Sequence, residues 1–374
     1  MDDHRLSVTE NKGGNDTLNS LQHAQLSHMN QPSQSTISLV SHDEPSWQGI
    51  LSSAIRDIDA LFQYLELPID TVATGDACIR DFPIRVPRPY LERIEKGNPN
   101  DPLLRQVLPL AEEEQLPPAG FVHDPLGEQA ANKVPGIVHK YQGRVLLITN
   151  GSCAVHCRYC FRRHFPYEEN RLSTQEWEQA LDYIRQRKEI NEVILSGGDP
   201  LSNNDQRLFK LIDAIEGIPH VTRLRIHTRL PIVIPQRITP SLAQRLADSR
   251  LAIVTVIHAN HANEIDDKVQ HSLLLLKQAG VHLLNQTVLL KGVNDSAQGL
   301  IDLSERLFEA HTLPYYLHLL DPVVGAHHFD VSESLALALM DDIRNRLPGF
   351  LVPKLVREVA GEGSKTPIFP RLSP

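Results

Sequence analysis

The sequence predicts an α/β fold. Its core is a parallel sheet, wound either as a partial (β/α)6 barrel or as an open doubly wound sheet, and a mainly helical region precedes it. Six strand-sized apolar runs recur between residues 144 and 320. Helix-like segments separate them, and strands alternating with helices pair in parallel because each parallel pair needs a crossover. The residues with chemistry to offer follow directly after runs one, two and five. In parallel α/β folds that position is the C-terminal rim of the sheet. Six units are too few for a full eight-stranded barrel.

Residues 1–45 are rich in Asn, Gln, Ser and His and show little periodicity, as expected of a flexible extension. From Trp47 the pattern turns helical: Leu51, Ala54, Ile55, Ile58, Leu61, Phe62 and Leu65 recur at helix spacing. Prolines divide FPIRVPRPYLERI and PNDPLLRQVLP into short helices and turns. Residues 46–140 are therefore expected to be mainly helical. The sheet is expected over 141–322, from the runs RVLLIT (144–149), EVILSG (192–197), RLRIHT (223–228), LAIVTVIH (251–258), HLLNQTVLL (282–290) and YYLHLL (315–320). Helices are expected to start near Thr174, Asp205, Pro240, Asp266 and Ser296. A last helix (332–347) and the tail PGFLVPKLVREVAGEGSKTPIFP make up a C-terminal segment, 323–374.

A chain that is 41% hydrophobic and 22% charged has ordinary soluble composition. Its net charge of -9 argues against nonspecific binding to nucleic acid or membrane surfaces, which need a cationic surplus. The polar start MDDHRLSVTENK does not read as a secretory signal, and the longest apolar runs are too short to span a bilayer. With four cysteines and no export signal, the cytoplasm is the expected location. Clustered cysteines there act as ligands or catalysts rather than disulfides.

Three of the four cysteines fall within GSCAVHCRYCFRRHFPY (151–167), as Cys153, Cys157 and Cys160. Thiolates bind zinc, iron–sulfur clusters or Cu(I). A structural zinc wants four ligands, which His156 or His164 could complete. A [4Fe–4S] cluster held by three cysteines would instead leave one iron open to a small molecule, as catalytic metal sites do. SGGDP (196–200) ends the second run and reads by itself as a glycine turn. In GEGSKTP, Lys365 follows two glycines and a serine; by itself it is a surface lysine on a shaped loop.

C-x3-C-x2-C after the first strand of a partial TIM-type barrel, with Tyr159 before the third cysteine, resembles the radical S-adenosylmethionine superfamily. The resemblance implies a [4Fe–4S] cluster on Cys153, Cys157 and Cys160. The open iron would chelate S-adenosylmethionine, and reduction would cleave it to an adenosyl radical. SGGDP resembles the superfamily's glycine motif, so Ser196, Gly197, Gly198 and Asp199 are expected to meet S-adenosylmethionine.

From about Pro87 to Pro367 the chain is similar to the lysine 2,3-aminomutases, through VPGIVHKYQGRVLLIT, CRYCFRRHF, ILSGGDPL, LPIVIPQRIT, NHANEI, LLNQTVLLKGVND and GSKTP. That family holds pyridoxal 5′-phosphate as a Schiff base where Lys365 stands. It carries basic residues for the phosphate at Lys140 and Arg144, and an arginine for the substrate carboxylate at Arg162. Its two acids for the ε-ammonium of L-lysine fall at Asp295 and Glu358, the latter an aspartate in the family. The structural zinc of longer members is not expected: Leu273 replaces one ligand, no cysteine follows Cys160, and Cys78 reads as a buried apolar residue.

CRYCFRRHFPY and LVPKLVRE…SKTP resemble the branch that makes (R)-β-lysine for elongation factor P, where a lysyl-tRNA-synthetase-like ligase attaches it. The expectation is therefore a radical aminomutase acting on L-lysine and fed by an external electron donor. A homo-oligomer is compatible with it. Alternatives are another amino acid substrate, glutamate or arginine, or a non-catalytic iron–sulfur redox or regulatory protein.

Overall fold

The computed structural model describes residues 45–68, 71–165 and 174–370. The extension expected at 1–45 lies outside them but for Pro45, as do Pro166 and Tyr167.

The N-terminal region is a succession of short helices. In Ile58–Leu65 the Asp57 side chain caps the first turn by accepting from Ala60 N, and Leu61, Phe62 and Leu65 form the buried face. Arg88–Leu91 and Pro102–Arg105 each carry proline in their first turn, where its missing N–H is no loss. These helices share a core with the first half of the sheet: Leu61, Leu65, Leu103 and Leu104 join Val145, Leu147, Val193 and Leu195 in one apolar cluster.

Among the described residues the sheet has ten strands, ordered in space as in sequence. They are β1 (Asn132–Val134), β2 (Ile137–Tyr141), β3 (Arg144–Asn150), β4 (Glu192–Gly197), β5 (Arg223–Thr228), β6 (Ala252–Ile257), β7 (His282–Val288), β8 (Leu313–His318), β9 (Lys354–Arg357) and β10 (Thr366–Pro367). β3 to β9 run parallel, each pairing with the next. β1, β2 and β10 are antiparallel flanks. A doubly wound sheet reverses its strand order at a switch point. This one never reverses, so it is the partial, open barrel. β4 is buried on both faces, which is why EVILSG reads as an uninterrupted run.

The helices between strands begin where expected: Thr174–Arg185, Asp205–Glu216, Pro240–Ala247, Asp267–Gln278 and Ala297–Glu309. Asp266 and Ser296 are the N-caps of the last two. Two boundaries move. The sheet begins at Asn132, so the expected division at residue 140 falls inside β2. The tail supplies β9, a seventh parallel strand, whose Leu355 packs with Leu317, Ile368 and the helix residues Leu339, Met340 and Ile343. Among the described residues no helix is long and apolar enough to cross a membrane.

Candidate active site

Seven parallel strands bring their C-terminal ends to one rim, and the residues at those ends surround a cavity of about 360 Å³. Cys153, Cys157 and Cys160, the SGGD segment, Arg162 and Lys365 all line it, as do Lys140, Arg144 and Glu358.

At the cysteine end, the loop after β3 is fastened to the helical region through one carboxylate. The buried Glu113 receives Arg158 Nε at 2.8 Å and Nη2 at 2.6 Å, and Arg163 Nη2 at 2.7 Å. Burial pushes the Glu113 carboxyl up, but the two guanidinium groups more than reverse this and hold it below the usual range. The loop is also closed onto the end of β4. Gly198 N donates to Asn150 O and Asp199 N to Ser152 O, both at 2.9 Å. A Cβ on Gly198 would lie 2.3 Å from Ser152 O, and Gly197 sits at φ +121°, so both positions demand glycine. In this fold the glycines of SGGDP are needed first for backbone packing against the cysteine loop.

The Asp199 carboxylate faces inward as well. It accepts from Thr228 Oγ1 at 2.6 Å and from the backbone N–H groups of Leu201, Arg229 and Leu230. Its part in the site is to join the ends of β4 and β5.

The three cysteines are free. Burial and the neighbouring thiols push Cys153 well up and Cys160 to about 11, so a metal must take the place of the proton before they act as ligands. Among the described residues no three His, Cys, Asp or Glu side chains converge on a point where one ion would sit. All three cysteines line one cavity, and thiolates are the usual ligands of iron–sulfur clusters. The histidines that might complete a zinc site are turned to other partners, His156 Nδ1 to Pro83 O at 2.7 Å and His164 Nε2 to Val324 O at 3.1 Å. Cys78 is buried away from the cavity, its thiol donating to Gly75 O.

Arg162 already holds a carboxylate. Its Nε and Nη2 grip Glu128 at 2.6 and 2.9 Å, a bidentate fork, and Nη1 donates to Ser196 Oγ at 2.9 Å. Beyond it, Lys140 lies 3.4 Å from both Glu128 and Glu358. Glu358 accepts from Lys365 Nζ at 2.6 Å and Tyr141 OH at 2.9 Å. Burial raises its carboxyl, yet the Lys365 and Lys140 charges and these hydrogen bonds bring it down to about 2. Lys365 Nζ also lies 5.7 Å from the Tyr316 ring centroid. Arg144 stacks 4.1 Å over Tyr141 and makes no ion pair among the described residues.

Asp295 does not line the cavity. Its carboxylate accepts from Gly292 N at 2.9 Å, closing the turn before the Ser296 cap. Besides Glu128, Asp199 and Glu358, the cavity is lined by a further acid, Asp321, just beyond β8. Burial raises its carboxyl to about 7 against the opposing Lys365 charge, and among the described residues it has no ion pair.

Sequence reasoning also missed Glu128, Arg225 and the cavity histidines. Arg225 lies on β5 and donates to Glu192 at 2.9 Å. His227 and His318 are kept neutral by burial, and each has an Nε2 with no hydrogen-bond partner among the described residues. Position at or near a strand end marks His227 and His318 in the sequence, whereas nothing local marks Glu128 or Arg225.

The residues present fit an iron–sulfur cluster at one end of the cavity. At the other end Lys365, Arg144, which has no ion pair among the described residues, and the Nε2 atoms of His227 and His318 fit an anionic aromatic cofactor. Residues 147–303 match the profile of the Radical SAM superfamily, which defines the class of protein.

Over 327 residues the chain is 52% identical to the L-lysine 2,3-aminomutase of Haemophilus influenzae, covering 87% of this chain and 96% of that one. It is 48% identical to the Escherichia coli L-lysine 2,3-aminomutase over 89% of this chain and 97% of the relative. Against the Clostridium subterminale L-lysine 2,3-aminomutase identity is 34%, over 88% and 79%. The chain belongs to the lysine 2,3-aminomutase family of radical S-adenosylmethionine enzymes. It is an isomerase whose cofactors are a [4Fe–4S] cluster, S-adenosylmethionine and pyridoxal 5′-phosphate.

Proposed function

We propose that the chain converts L-lysine to (R)-β-lysine in the cytoplasm, for attachment to elongation factor P by a lysyl-tRNA-synthetase-like ligase. The observation that carries this reading is one cavity lined by both the three cysteines and Lys365. When bound, the reduced cluster and S-adenosylmethionine supply a hydrogen-abstracting radical, and pyridoxal phosphate supplies the conjugated system across which an amino group migrates. An external one-electron donor is needed to reduce the cluster.

The chain's own residues do the positioning. Cys153, Cys157 and Cys160 hold the cluster, and the Ser196–Asp199 rim receives S-adenosylmethionine. Lys365 anchors pyridoxal phosphate, with Lys140, Arg144 and Arg225 on its phosphate. Lysine suits the anchor because its amine attacks aldehydes once deprotonated, and Glu358 and Tyr316 keep the ammonium group pointed into the cavity. Arg162 takes the substrate carboxylate through Nη1 or by exchange with Glu128, which shows that its fork accepts that shape. Asp321 takes the ε-ammonium, because a buried acid without a counter-ion becomes a stable carboxylate when a cation arrives. Glu358 is its weaker companion, being already paired with Lys365. Enclosure between sheet and loops keeps water from the reacting carbons.

The test is anaerobic turnover of L-lysine by protein reconstituted with iron, sulfide and pyridoxal phosphate. (R)-β-lysine and 5′-deoxyadenosine are expected. Reconstituted protein that makes no β-lysine overturns the reading, and turnover of glutamate or arginine in preference to lysine redirects it. For the physiological product, deleting the gene should remove the β-lysyl mass from elongation factor P.

A further inference from the structure

The side chain of Arg229, the first residue after β5, reaches across the cavity wall to the cysteine loop. Its Nη1 lies 2.7 Å from Cys157 Sγ. Its Nη2 is held by Gln106 Oε1 at 2.7 Å, Glu264 Oε2 at 2.9 Å and Tyr90 OH at 3.3 Å. Its backbone N–H is held by Asp199 at 2.7 Å. Glu264 is fixed in turn, its Oε1 accepting from Gln106 Nε2 at 3.0 Å and from Asn260 N at 2.8 Å. Arg229, Gln106 and Glu264 are all buried, so the guanidinium is clamped in one pose with one face on the sulfur.

We propose that Arg229 is a positioning residue that sets the reduction potential of the cluster through Cys157, with Glu264 as the opposing charge behind it. Reduction adds one electron, taking [4Fe–4S]2+ to [4Fe–4S]1+, with a low-potential one-electron donor oxidised in step. Net charge and hydrogen bonds to the sulfurs are the levers a protein has on such a potential. A buried cation donating to a ligand sulfur favours the more negative, reduced state and raises the potential. The Glu264 carboxylate on the far side of the same guanidinium offsets part of that. Both charges are screened little in the buried wall. The mechanism leaves Arg229 with no contact to substrate, and a hydrogen bond to a cysteine sulfur, made in addition to its pairing with Glu264, is what separates it from Arg158, Arg162 and Arg163.

The inference rests on Cys157 being a cluster ligand, so iron and sulfide per chain are measured first. Wild-type protein that takes up no cluster defeats that reading and not this one. In cluster-loaded protein, an anaerobic potentiometric titration followed by the electron paramagnetic resonance signal of the reduced cluster reads the midpoint. Arg229→Gln is expected to lower it, so that the reduced-to-oxidised ratio at the wild-type midpoint falls about tenfold, or about 59 mV for one electron. Glu264→Gln is expected to raise it, and Arg229→Lys, which keeps the charge, to stay nearer wild type than Arg229→Gln. A merely structural role does not predict opposite signs for two partners in one ion pair. Arg229→Gln with full iron and an unshifted or raised midpoint overturns the proposal. If Arg229→Gln cannot hold iron, Glu264→Gln decides alone: a raised midpoint supports it, and an unshifted or lowered one overturns it.

Discussion

The two ends of the cavity are built differently. At the cysteine end, Arg158, Arg162, Arg163 and Arg229 each already hold a carboxylate, and the loop backbone is fastened to β4 by paired hydrogen bonds. At the lysine end, among the described residues, Asp321 and Arg144 have no ion pair and the Nε2 atoms of His227 and His318 have no hydrogen-bond partner. Buried polar groups are normally satisfied, and the exceptions need a reason. The contrast teaches which ligand each end awaits. On the proposed reading, the braced cysteine end receives the cluster, and the less satisfied lysine end receives a phosphate and the cationic tail of a substrate.

Four experiments break or sharpen that contrast. The largest effect belongs to Lys365→Ala, which should abolish both the pyridoxal absorbance and turnover while iron content stays at the wild-type level. Pyridoxal absorbance surviving in the variant would mean that the lysine end is anchored elsewhere. Next comes Glu113→Gln, which leaves Arg158 and Arg163 buried against an uncharged amide. Breaking a buried pair costs about 3–5 kcal/mol, so denaturant unfolding should show a loss of that order and iron occupancy should fall with it. A loss under about 1 kcal/mol would mean that the cysteine end is not held through this carboxylate.

Asp321→Asn tests the open end without disturbing the closed one. A hydrogen bond to a charged group is worth about 1.5–3 kcal/mol, so KM for lysine should rise about 10- to 100-fold with cluster content unchanged. The sign of the pH effect follows from a carboxyl raised to about 7. Above that pH it is a carboxylate and attracts the ε-ammonium, and as pH falls through 7 it takes a proton and loses the attraction. Wild-type KM should therefore climb on acidification while that of Asp321→Asn stays flat, and parallel profiles would remove Asp321 from the substrate. The smallest effect is expected of Asp295→Ala, which touches only a surface turn. KM should stay within about twofold of wild type, the ±0.5 kcal/mol usual for such sites. A tenfold rise would return it to the substrate pocket.

What the sequence disclosed follows the same division. β3 to β8 were legible because each is a strand-sized apolar run set between helix-like segments, buried throughout in β4 and with alternating burial in β5 and β7. β9 was not, because Pro353 and four residues with buried Leu355 and Val356 leave too short a pattern. The polar and glycine-rich stretch around β1 and β2 masked that hairpin. The cysteines and Lys365 fall on the cavity because short motifs carry their spacing with them. Asp321 was hidden because KGVND and YYLHLLD offer equally placed acids after a strand. Asp295 lies seven residues past the end of β7 and Asp321 three past the end of β8, and only the shorter distance keeps a side chain on the rim. Glu128, Arg229 and Glu264 carry no local signature at all, since each is defined by a partner distant in the chain.

The strict order of the strands has a temporal consequence. A sheet whose neighbours in space are neighbours in sequence can be laid down in the direction of synthesis, because domains emerge N-terminus first. The cysteine loop and the helices that brace it leave the ribosome in the first half of translation. Glu358 and Lys365 arrive with the last two strands. On the proposed reading, the residues that would hold the cluster are therefore synthesised well before Lys365, the residue that would capture pyridoxal.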